Sequence, residues 1–339
     1  MSAHQTADVG SGAVPVQRRA PRPILRMLAQ RIPLGLLTIV IVTVIVFAST
    51  QLLPGNAARA VLGRDATDQQ VADLEHQMGL DQAMVVQYWN WVSGLLHGDF
   101  GTSLVNGQSV SSMVGPRVVN SFTLMVLAGL IGTVIGVLLG LYAGIRQGSV
   151  LDHLLSTASL AVVSLPEFVV AILVTLTFST SVFHWFPAVS TIPSGTRPWE
   201  DPSLLVLPTI VLVIMIVPYL FRMMRAATIE ALGTEYVEMA RLNGIRESRV
   251  LRAHALPNAL APVIQAIGLN LLYLAGGIVV VETVFNYPGI GQGLYNDVLN
   301  TDIPAIQFSV TFLTVFYVVV NVATDALVLV ATPRKRWPR

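Results

Sequence analysis

The residues best placed to do chemistry lie in one charged stretch, residues 236–257, which interrupts otherwise apolar sequence. In this stretch Glu238 precedes four arginines, at positions 241, 246, 249 and 252, and Gly244 separates two helix-compatible halves. Such residues supply charge pairs and hydrogen bonds to a partner, but they provide no nucleophile with a neighbouring base. We expect a contact surface here. The alternative is a solvated loop whose arginines extend along nearby apolar surface.

Several classes of protein are excluded by what the 339 residues contain. The absence of cysteine excludes disulfides, thiolate catalysis and cysteine-based metal sites, and the six histidines are scattered, with no pair at metal-ligand spacing. The net charge is +1 and no long basic run is present, so nucleic acid is not an expected partner. The only lysine, Lys335, has no glycine near it, so the chain lacks a phosphate-binding P-loop. Any ATP that drives its work must bind to another polypeptide.

The elements that position the charged stretch are long apolar segments. Hydrophobic residues make up 53% of the chain and charged residues only 12%, and a membrane-spanning helix needs about 20 mostly apolar residues. The sequence therefore predicts an all-α integral membrane protein with six transmembrane helices. The predicted spans are residues 34–53, 121–145, 154–183, 203–221, 258–285 and 305–331. An alternative for the first is a cleaved signal peptide, because Ala58-Arg59-Ala60 resembles a cleavage site.

The distribution of basic residues predicts the orientation and the domain organisation. With both termini in the cytoplasm, sixteen of the 20 basic residues lie on the cytoplasmic side. The predicted organisation is a disordered basic tail (1–30), a first transmembrane helix with an extracytoplasmic helical segment (31–117), a five-helix core (118–332) with a cytoplasmic loop at about 226–257, and a basic tail (333–339).

The extracytoplasmic segment has the pattern of two helices. Thr67 and Gln70 form a capping-box pair at the start of the first helix, and a second helix fits residues 81–97. The second carries an aromatic stripe that includes Tyr88 and Trp89. Packing against the transmembrane helices and contact with lipid are equally compatible with this stripe.

Two acids lie inside the predicted spans. Glu167 follows Pro166 in the middle of the third span, where a charged residue usually faces the bundle interior or a wet path. It is a candidate for a translocation path, and a buried structural acid is an equal alternative. Asp325 is expected to pair with an arginine or a helix terminus. Use of both acids as a proton relay would suit a secondary transporter, but the sequence shows no inverted repeat.

Motifs in a fixed order along residues 25–336 resemble the permease subunits of ABC importers, and in particular the first permease subunit of the dipeptide and oligopeptide branch. Glu238, Ala240, Gly244 and Leu256-Pro257 match their cytoplasmic "EAA" loop. The other matching motifs are LPG at 53–55, MGLD at 78–81, GDFGTS at 98–103, SLPEF at 164–168, ETVF at 282–285, PGIG at 288–291 and DIP at 302–304. Departures are Asn56, where many members carry Asp, and Met239, which replaces an alanine of the loop motif.

The resemblance implies a type I ABC-importer permease fold that forms half of a translocation path for di- or oligopeptides by alternating access. The implied partners are a homologous second permease, two ABC ATPase subunits that bind ATP and Mg, an extracytoplasmic substrate-binding protein, and the lipid bilayer of a prokaryotic inner or plasma membrane. No cofactor is expected in this chain. Related importers carry nickel, glutathione or oligosaccharides, and these substrates remain alternatives.

The resemblance and the helix–glycine–helix pattern together assign the candidate site. The predicted ATPase-coupling residues are Glu238, Ala240, Arg241, Gly244, Arg246, Arg249, His254, Leu256 and Pro257. We expect a helix over 226–243 that Gly244 ends in a left-handed conformation, and a second helix over 245–256 that Pro257 halts. The small side chain of Ala240 should allow close approach of the partner. The acids expected near the outer surface as binding-protein contacts are Asp99, Glu282, Asp297 and Asp302.

Overall fold

The computed structural model describes residues 23–52, 62, 66–77, 79, 81–193 and 195–331. Apart from an isolated antiparallel bridge between Thr102 and Ser109, the regular structure in these residues is helical. The helices are α1 (Pro23–Gln51), α2 (Asp68–Gln77), α3 (Met84–His97), α4 (Val110–Ile145), α5 (Val150–Val163), α6 (Glu167–Thr175), α7 (Ser203–Leu232), α8 (Glu235–Leu242), α9 (Glu247–Arg249), α10 (Leu256–Val284), α11 (Ile290–Leu299) and α12 (Ile303–Ala331). Three further helical turns are Leu176–Thr180, Pro198–Glu200 and Val250–Ala255.

Five of the described helices are long and apolar enough to cross a membrane, namely α1, α4, α7, α10 and α12. Their most apolar windows have mean hydropathies between 2.0 and 2.7. These helices confirm five of the six predicted spans. α4 begins at Val110, eleven residues before the predicted start at Ser121, so it extends beyond the predicted apolar stretch.

The predicted third span is a bent pair rather than one straight helix. α5 and the helical stretch Glu167–Thr180 meet at 106° across residues 164–166, so the described part of the chain has six spans only if this pair counts as one. The sequence analysis predicted one span over 154–183 with Pro166 in its middle, but it did not predict that the chain bends there. Proline disfavours helical conformation in the preceding residue and cannot donate a backbone hydrogen bond, so the helix ends before it and restarts after it.

A line of glycines packs α4 closely against α7. Gly132, Gly136, Gly140 and Gly144 lie four residues apart and are buried on one face of α4. A Cβ atom at Gly140 would lie only 2.5 Å from the carbonyl oxygen of Phe221. Small residues at this spacing let membrane helices approach closely. The contact fixes α7, the helix that leads into the charged stretch.

The segment between α1 and α4 confirms two helix predictions. The Gln70 side chain accepts a hydrogen bond from the Thr67 backbone N–H at 2.9 Å, and the Gln70 N–H donates to Thr67 Oγ1 at 3.3 Å, which completes the capping box of α2. α3 begins at Met84 rather than at residue 81. It ends at Gly98, whose φ of 81° is a left-handed conformation.

The aromatic stripe of α3 is divided between two surroundings. Tyr88 and Trp91 pack on Phe47 of α1, with ring centroids 5.5 and 6.0 Å away respectively. Trp89 and Leu96 are instead 70% and 82% exposed. Packing against α1 therefore accounts for one face of α3, and the other face is exposed.

Two predicted boundaries differ from the helices. The basic tail was predicted to be disordered through residue 30, but α1 begins at Pro23. The boundary at residue 117 falls inside α4, which continues without a break. The rest of the N-terminal tail, the LPG motif at 53–55, and residues 333–339 lie outside the described residues.

Candidate functional site

The charged stretch lies in a connection between α7 and α10, residues 233–255, which we call the α8 segment. α7 ends at Leu232, and Thr234 is extended (ψ 144°) before α8 begins. The predicted single helix over 226–243 is therefore interrupted at Gly233 and Thr234. This pair ends α7 because glycine and threonine are both poor helix formers. The helix α8 is consequently separate from the long α7 that precedes it.

Gly244 ends α8 in the conformation that the sequence predicts. Its φ is +74°, and its N–H donates to the Arg241 carbonyl at 2.9 Å. The Ile245 N–H then donates to the Ala240 carbonyl at 3.2 Å. These bonds occupy carbonyl groups that the helix end would otherwise leave unpaired. The turn fixes the direction in which the chain leaves α8.

The second half of the segment runs into the next span without a stop. α9 passes into the wide turn Val250–Ala255, and α10 starts directly at Leu256. The prediction that Pro257 halts a helix is wrong, because Pro257 lies in the first turn of α10. Proline is tolerated there, since the N–H that it lacks would have no partner within the helix.

A small apolar cluster holds α8 against the following turn. Val237, Ala240 and Val250 are buried, and Leu232 and Ile245 pack against them. Ala240 is 6% exposed, so it is not available for close approach to another protein. The role predicted for Ala240 is corrected by this burial. Its small side chain instead lets α8 pack closely on its own chain.

The exposed face of α8 carries apolar side chains that the sequence analysis did not single out. Tyr236, Met239 and Leu242 are 39%, 59% and 76% exposed. They follow one another at intervals of three residues, so they share a face of the helix. Beside them is an open cleft of about 520 Å³ lined by Leu232, Gly233, Thr234, Glu238, Arg241 and Leu242. The three-residue spacing in an otherwise charged helix was the available signal.

Arg241 forms its ion pair within the chain. Its Nη2 and Nε atoms donate to the two carboxylate oxygens of Glu247 at 2.7 and 3.1 Å. These hydrogen bonds lower the pKa of the Glu247 carboxyl and raise the pKa of Arg241. The pair connects α8 to α9 across the Gly244 turn. Glu238, Arg246 and Arg249 are exposed, Leu256 is half-buried and Pro257 is exposed; the side chain of His254 lies outside the described residues.

Three acids predicted to face a binding protein are buried at the opposite end of α10. Glu282 is 0% exposed; its carboxylate accepts hydrogen bonds from Ser121 Oγ at 2.5 Å and from the Gly291 and Gln292 N–H groups at 2.8 and 3.1 Å. It therefore caps the N-terminus of α11. The predicted surface position of Glu282 is wrong because this cap occupies the carboxylate inside the protein.

The other two acids tie the same end together. Asp297 Oδ2 accepts from Arg117 Nη1 at 2.9 Å, and Asp302 accepts from Ser103 Oγ and from the Leu104 N–H at 3.1 Å. Asp297 is 5% exposed and Asp302 is 1% exposed, so the prediction of surface contacts is wrong for both. We call Arg117, Ser121, Glu282, Asp297 and Asp302 the α11 cluster. Asp99 is exposed, as predicted, and accepts a hydrogen bond from the Gly101 N–H at 3.0 Å.

The two acids of the predicted spans differ in their partners. Asp325 of α12 lies 2.8 Å from Arg31 Nε of α1, which confirms the predicted arginine pairing. Glu167 is the first residue of α6, directly after the bend. Its Oε1 atom is buried and has no hydrogen-bond partner among the described residues.

Comparison with known proteins identifies the family. Residues 136–337 match the family described as binding-protein-dependent transport system inner membrane component, and residues 24–124 match the family of the N-terminal part of such membrane components. The chain belongs to this family. It is a permease subunit of an ATP-driven importer and has the type I ABC-importer permease fold. Such transport systems also contain ATPase and binding-protein components.

Relatives of this permease match it along most of its length. A protein of Brucella abortus named as a peptide transport system permease is 35% identical over 314 residues, which are 93% of this chain and 98% of the relative. A protein of Sinorhizobium fredii named as a peptide ABC transporter permease is 32% identical over 87% of this chain and 94% of its own length. The glutathione transport system permease of Salmonella typhimurium is 33% identical over 90% of this chain and 97% of its own.

Proposed function

We propose that this permease imports di- or oligopeptides and forms half of their translocation path together with a homologous second permease. The names of its relatives support peptides as the substrate class, and glutathione is itself a small peptide. The chain carries no covalent chemistry and no cofactor. Transport proceeds by alternating access, in which the two halves rock between an outward-open and an inward-open form.

The α8 segment receives the force that drives this motion. The observation that carries the proposal is a short helix, braced by its own apolar cluster, that presents Tyr236, Met239 and Leu242 beside the charges of Glu238 and Arg246. An apolar surface rimmed by charges is typical of a protein contact. The partner is an ABC ATPase subunit that binds ATP and Mg, because this chain has no P-loop.

The other predicted coupling residues take supporting roles in this proposal. Gly244 and Arg241 fix the turn after α8, and Ala240 packs it on the chain. Arg249, His254, Leu256 and Pro257 carry the movement into α10, since Val250–Ala255 continues directly into that helix. When ATP binding draws two ATPase subunits together, the α8 segments follow and the permease halves open outward. Hydrolysis then resets the inward-open form.

We place the α8 segment and both termini in the cytoplasm of a prokaryotic cell, with this chain in its inner or plasma membrane. The distribution of basic residues supports this orientation. The opposite face would then carry exposed Asp99 together with Tyr295, Val298 and Leu299 of α11, and we assign these residues to contact with the substrate-binding protein. In the cysteine-free chain, Asp73→Cys and Gln82→Cys should react with a membrane-impermeant maleimide from outside intact cells. Labelling only from the cytoplasmic side would reverse the orientation.

Reconstitution of the whole importer in proteoliposomes tests the function. The two permeases, the ATPases and the binding protein should accumulate radiolabelled trialanine inside the vesicles only when ATP is supplied on the ATPase side. Glutathione, nickel and a malto-oligosaccharide serve as parallel substrates. Uptake of nickel or sugar but not of either peptide would contradict the peptide assignment. Uptake without ATPase subunits would contradict the coupling and favour a secondary transporter.

A further inference from the structure

Glu167 is a carboxylate held at a bend in the middle of an apolar region. It follows Pro166 at the start of α6, where α5 and α6 meet at 106°. The side chain is half-buried, and its buried Oε1 atom has no hydrogen-bond partner among the described residues. Burial of an acid without a partner is unfavourable, so such a group usually meets a cation, a proton or water.

The carboxylate lies against a glycine of α10. A Cβ atom at Gly277 would lie 2.9 Å from Glu167 Oε1 and 3.0 Å from Oε2, so only a glycine leaves the carboxylate its present room. The neighbouring Gly276 is exposed, and a Cβ there would meet no atom within 4 Å. The carboxylate is therefore next to a face of α10 that this chain leaves open.

This open face continues along α10. Leu269 and Tyr273 are 51% and 48% exposed, and Val280 and Val284 are 36% and 38% exposed. Together with Gly276 they recur every three or four residues, which places them on one stripe of the helix. α10 is also packed against α7, α12 and α11 on its other faces. Among the described residues, this stripe is the exposed side of α10, and the Glu167 carboxylate lies beside it at Gly277.

Three arginines of the described long helices are matched to other acids. Arg31 pairs with Asp325 at 2.8 Å, and Arg117 pairs with Asp297 at 2.9 Å. Arg225 donates to both carboxylate oxygens of Asp152, at 2.5 and 2.8 Å. Each of these acids lies within ion-pair distance of an arginine, whereas Glu167 forms no ion pair among the described residues and has a glycine beside it. The difference indicates that the Glu167 carboxylate accepts a hydrogen bond from a ligand rather than from the chain itself.

We propose that Glu167 is a specificity-determining residue for transport, whose carboxylate binds a positively charged nitrogen of the substrate beside Gly277 and the open stripe of α10. The inference rests on the proposed import of peptides, and it names their free amino terminus as the group that is recognised. An ammonium group offers three donors and a full charge, which matches a carboxylate with an unused acceptor.

The test compares two probes that differ at the amino terminus, trialanine with its charged ammonium group and N-acetyl-trialanine with a neutral acetamide there, in proteoliposomes that contain the whole importer. For each probe the uptake rate of Glu167→Gln is divided by the wild-type rate, so that different affinities of the unchanged binding protein cancel. We expect Glu167→Gln to lower trialanine uptake by about tenfold or more, because the charge-assisted hydrogen bond is lost. Glu167→Asp keeps the carboxylate, so it should retain most of the uptake. N-acetyl-trialanine uptake should change by less than about twofold.

A matched control and a second pair of variants accompany this test. Glu200→Gln removes an acid at an exposed position outside the spans and should leave both rates unchanged. Gly277→Ala brings a methyl group against the Glu167 carboxylate, whereas Gly115→Ala on α4, away from the stripe, adds the same group where it meets nothing. We therefore expect a selective loss of trialanine uptake in Gly277→Ala and not in Gly115→Ala.

Each outcome decides for or against the inference. Unchanged trialanine uptake in Glu167→Gln, or an equal loss with both probes, overturns it. If Glu167→Gln does not assemble, the glycine pair decides instead: equal effects of Gly277→Ala on the two probes overturn the inference, and a selective loss supports it. If the wild-type importer takes up another substrate in an ATP-dependent way but carries neither peptide, the proposed function is overturned, and this inference with it.

Discussion

The α11 cluster and the α8 segment lie at opposite ends of α10, and their charged side chains differ in burial and in bonding. In the α11 cluster Glu282 and Asp297 are at most 5% exposed, and both carboxylates accept hydrogen bonds from within the chain. In the α8 segment Glu238, Arg246 and Arg249 are exposed, and so are apolar side chains such as Met239. Buried acids in one region brace helices against each other, whereas exposed charges in the other remain available to a partner.

This difference shows that a charged motif between apolar helices does not by itself identify a contact with another protein. Both regions contain acids in polar stretches between apolar helices, and the sequence made both of them candidates for contact with other proteins. The structure supports a contact role only where a braced helix leaves its charges and apolar side chains exposed. A buried carboxylate with three donors is better explained as a structural support.

Removal of one acid from each region gives the largest expected contrast. Glu282→Ala leaves the Gly291 and Gln292 N–H groups and the Ser121 hydroxyl without their buried acceptor. We expect it to lower the free energy of unfolding by about 3 kcal/mol or more. Glu238→Ala at an exposed site should change it by no more than about 0.5 kcal/mol. Thermal unfolding of the detergent-purified importer measures both.

The same two variants should separate in their activity. Glu238→Ala should assemble normally and reduce ATP hydrolysis stimulated by the loaded binding protein, whereas Glu282→Ala should lose assembled complex. Equal stability of the two variants would contradict the structural role of the α11 cluster.

The Gly244 turn provides a smaller, local contrast. Gly244→Val places a β-branched residue at a φ of +74°, which costs roughly 1–3 kcal/mol in backbone strain. A Cβ there meets no atom within 4 Å, so the effect comes from the backbone alone. We expect normal membrane insertion but a joint loss of stimulated ATP hydrolysis and uptake.

Gly148→Val is the matched control for this variant. Gly148, between α4 and α5, has a φ of +80°, and a Cβ there also meets no atom within 4 Å, so the same backbone strain is placed outside the α8 segment. It should therefore retain both activities. If Gly244→Val also retains them, the turn does not direct the force from the ATPase.

The Arg241–Glu247 pair gives the smallest expected effect. Exposed pairs contribute about 0.2–1 kcal/mol, so Glu247→Gln should speed hydrogen exchange in α8 and α9 by less than about fivefold. Because Arg241 lowers the pKa of Glu247, the stabilisation is present above pH 4.5 and is lost as the pH falls through the lowered value. The exchange rates of wild type and variant, compared at each pH, should converge in acid. A difference that grows in acid would contradict the pairing.

The sequence predicted those features that depend on neighbouring residues. The Thr67–Gln70 cap and the left-handed Gly244 follow from local backbone chemistry, and five spans follow from hydropathy. Pairing of Asp325 with an arginine was also predicted, although the sequence did not identify Arg31 as the partner.

Features that depend on distant parts of the chain were not predicted. Glu282 meets Ser121 across 161 positions, and nothing near Glu282 in the sequence indicates that contact. Ala240 is buried by Val250 and its neighbours, so its small size served internal packing rather than a partner. The bend at Pro166 had a local signal, but the apolar composition of residues 154–183 outweighed it in the prediction.

The most direct test of the coupling assignment is a photo-crosslink from the exposed face of α8. Benzoylphenylalanine replaces Met239 in one variant and Tyr295 of α11 in the other; the two native side chains are 59% and 47% exposed. After illumination of the whole importer in nanodiscs, we expect the variant at Met239 to crosslink to an ATPase subunit and the variant at Tyr295 not to do so. An ATPase crosslink from Tyr295, with none from Met239, would contradict the assignment of the α8 segment as the site of coupling.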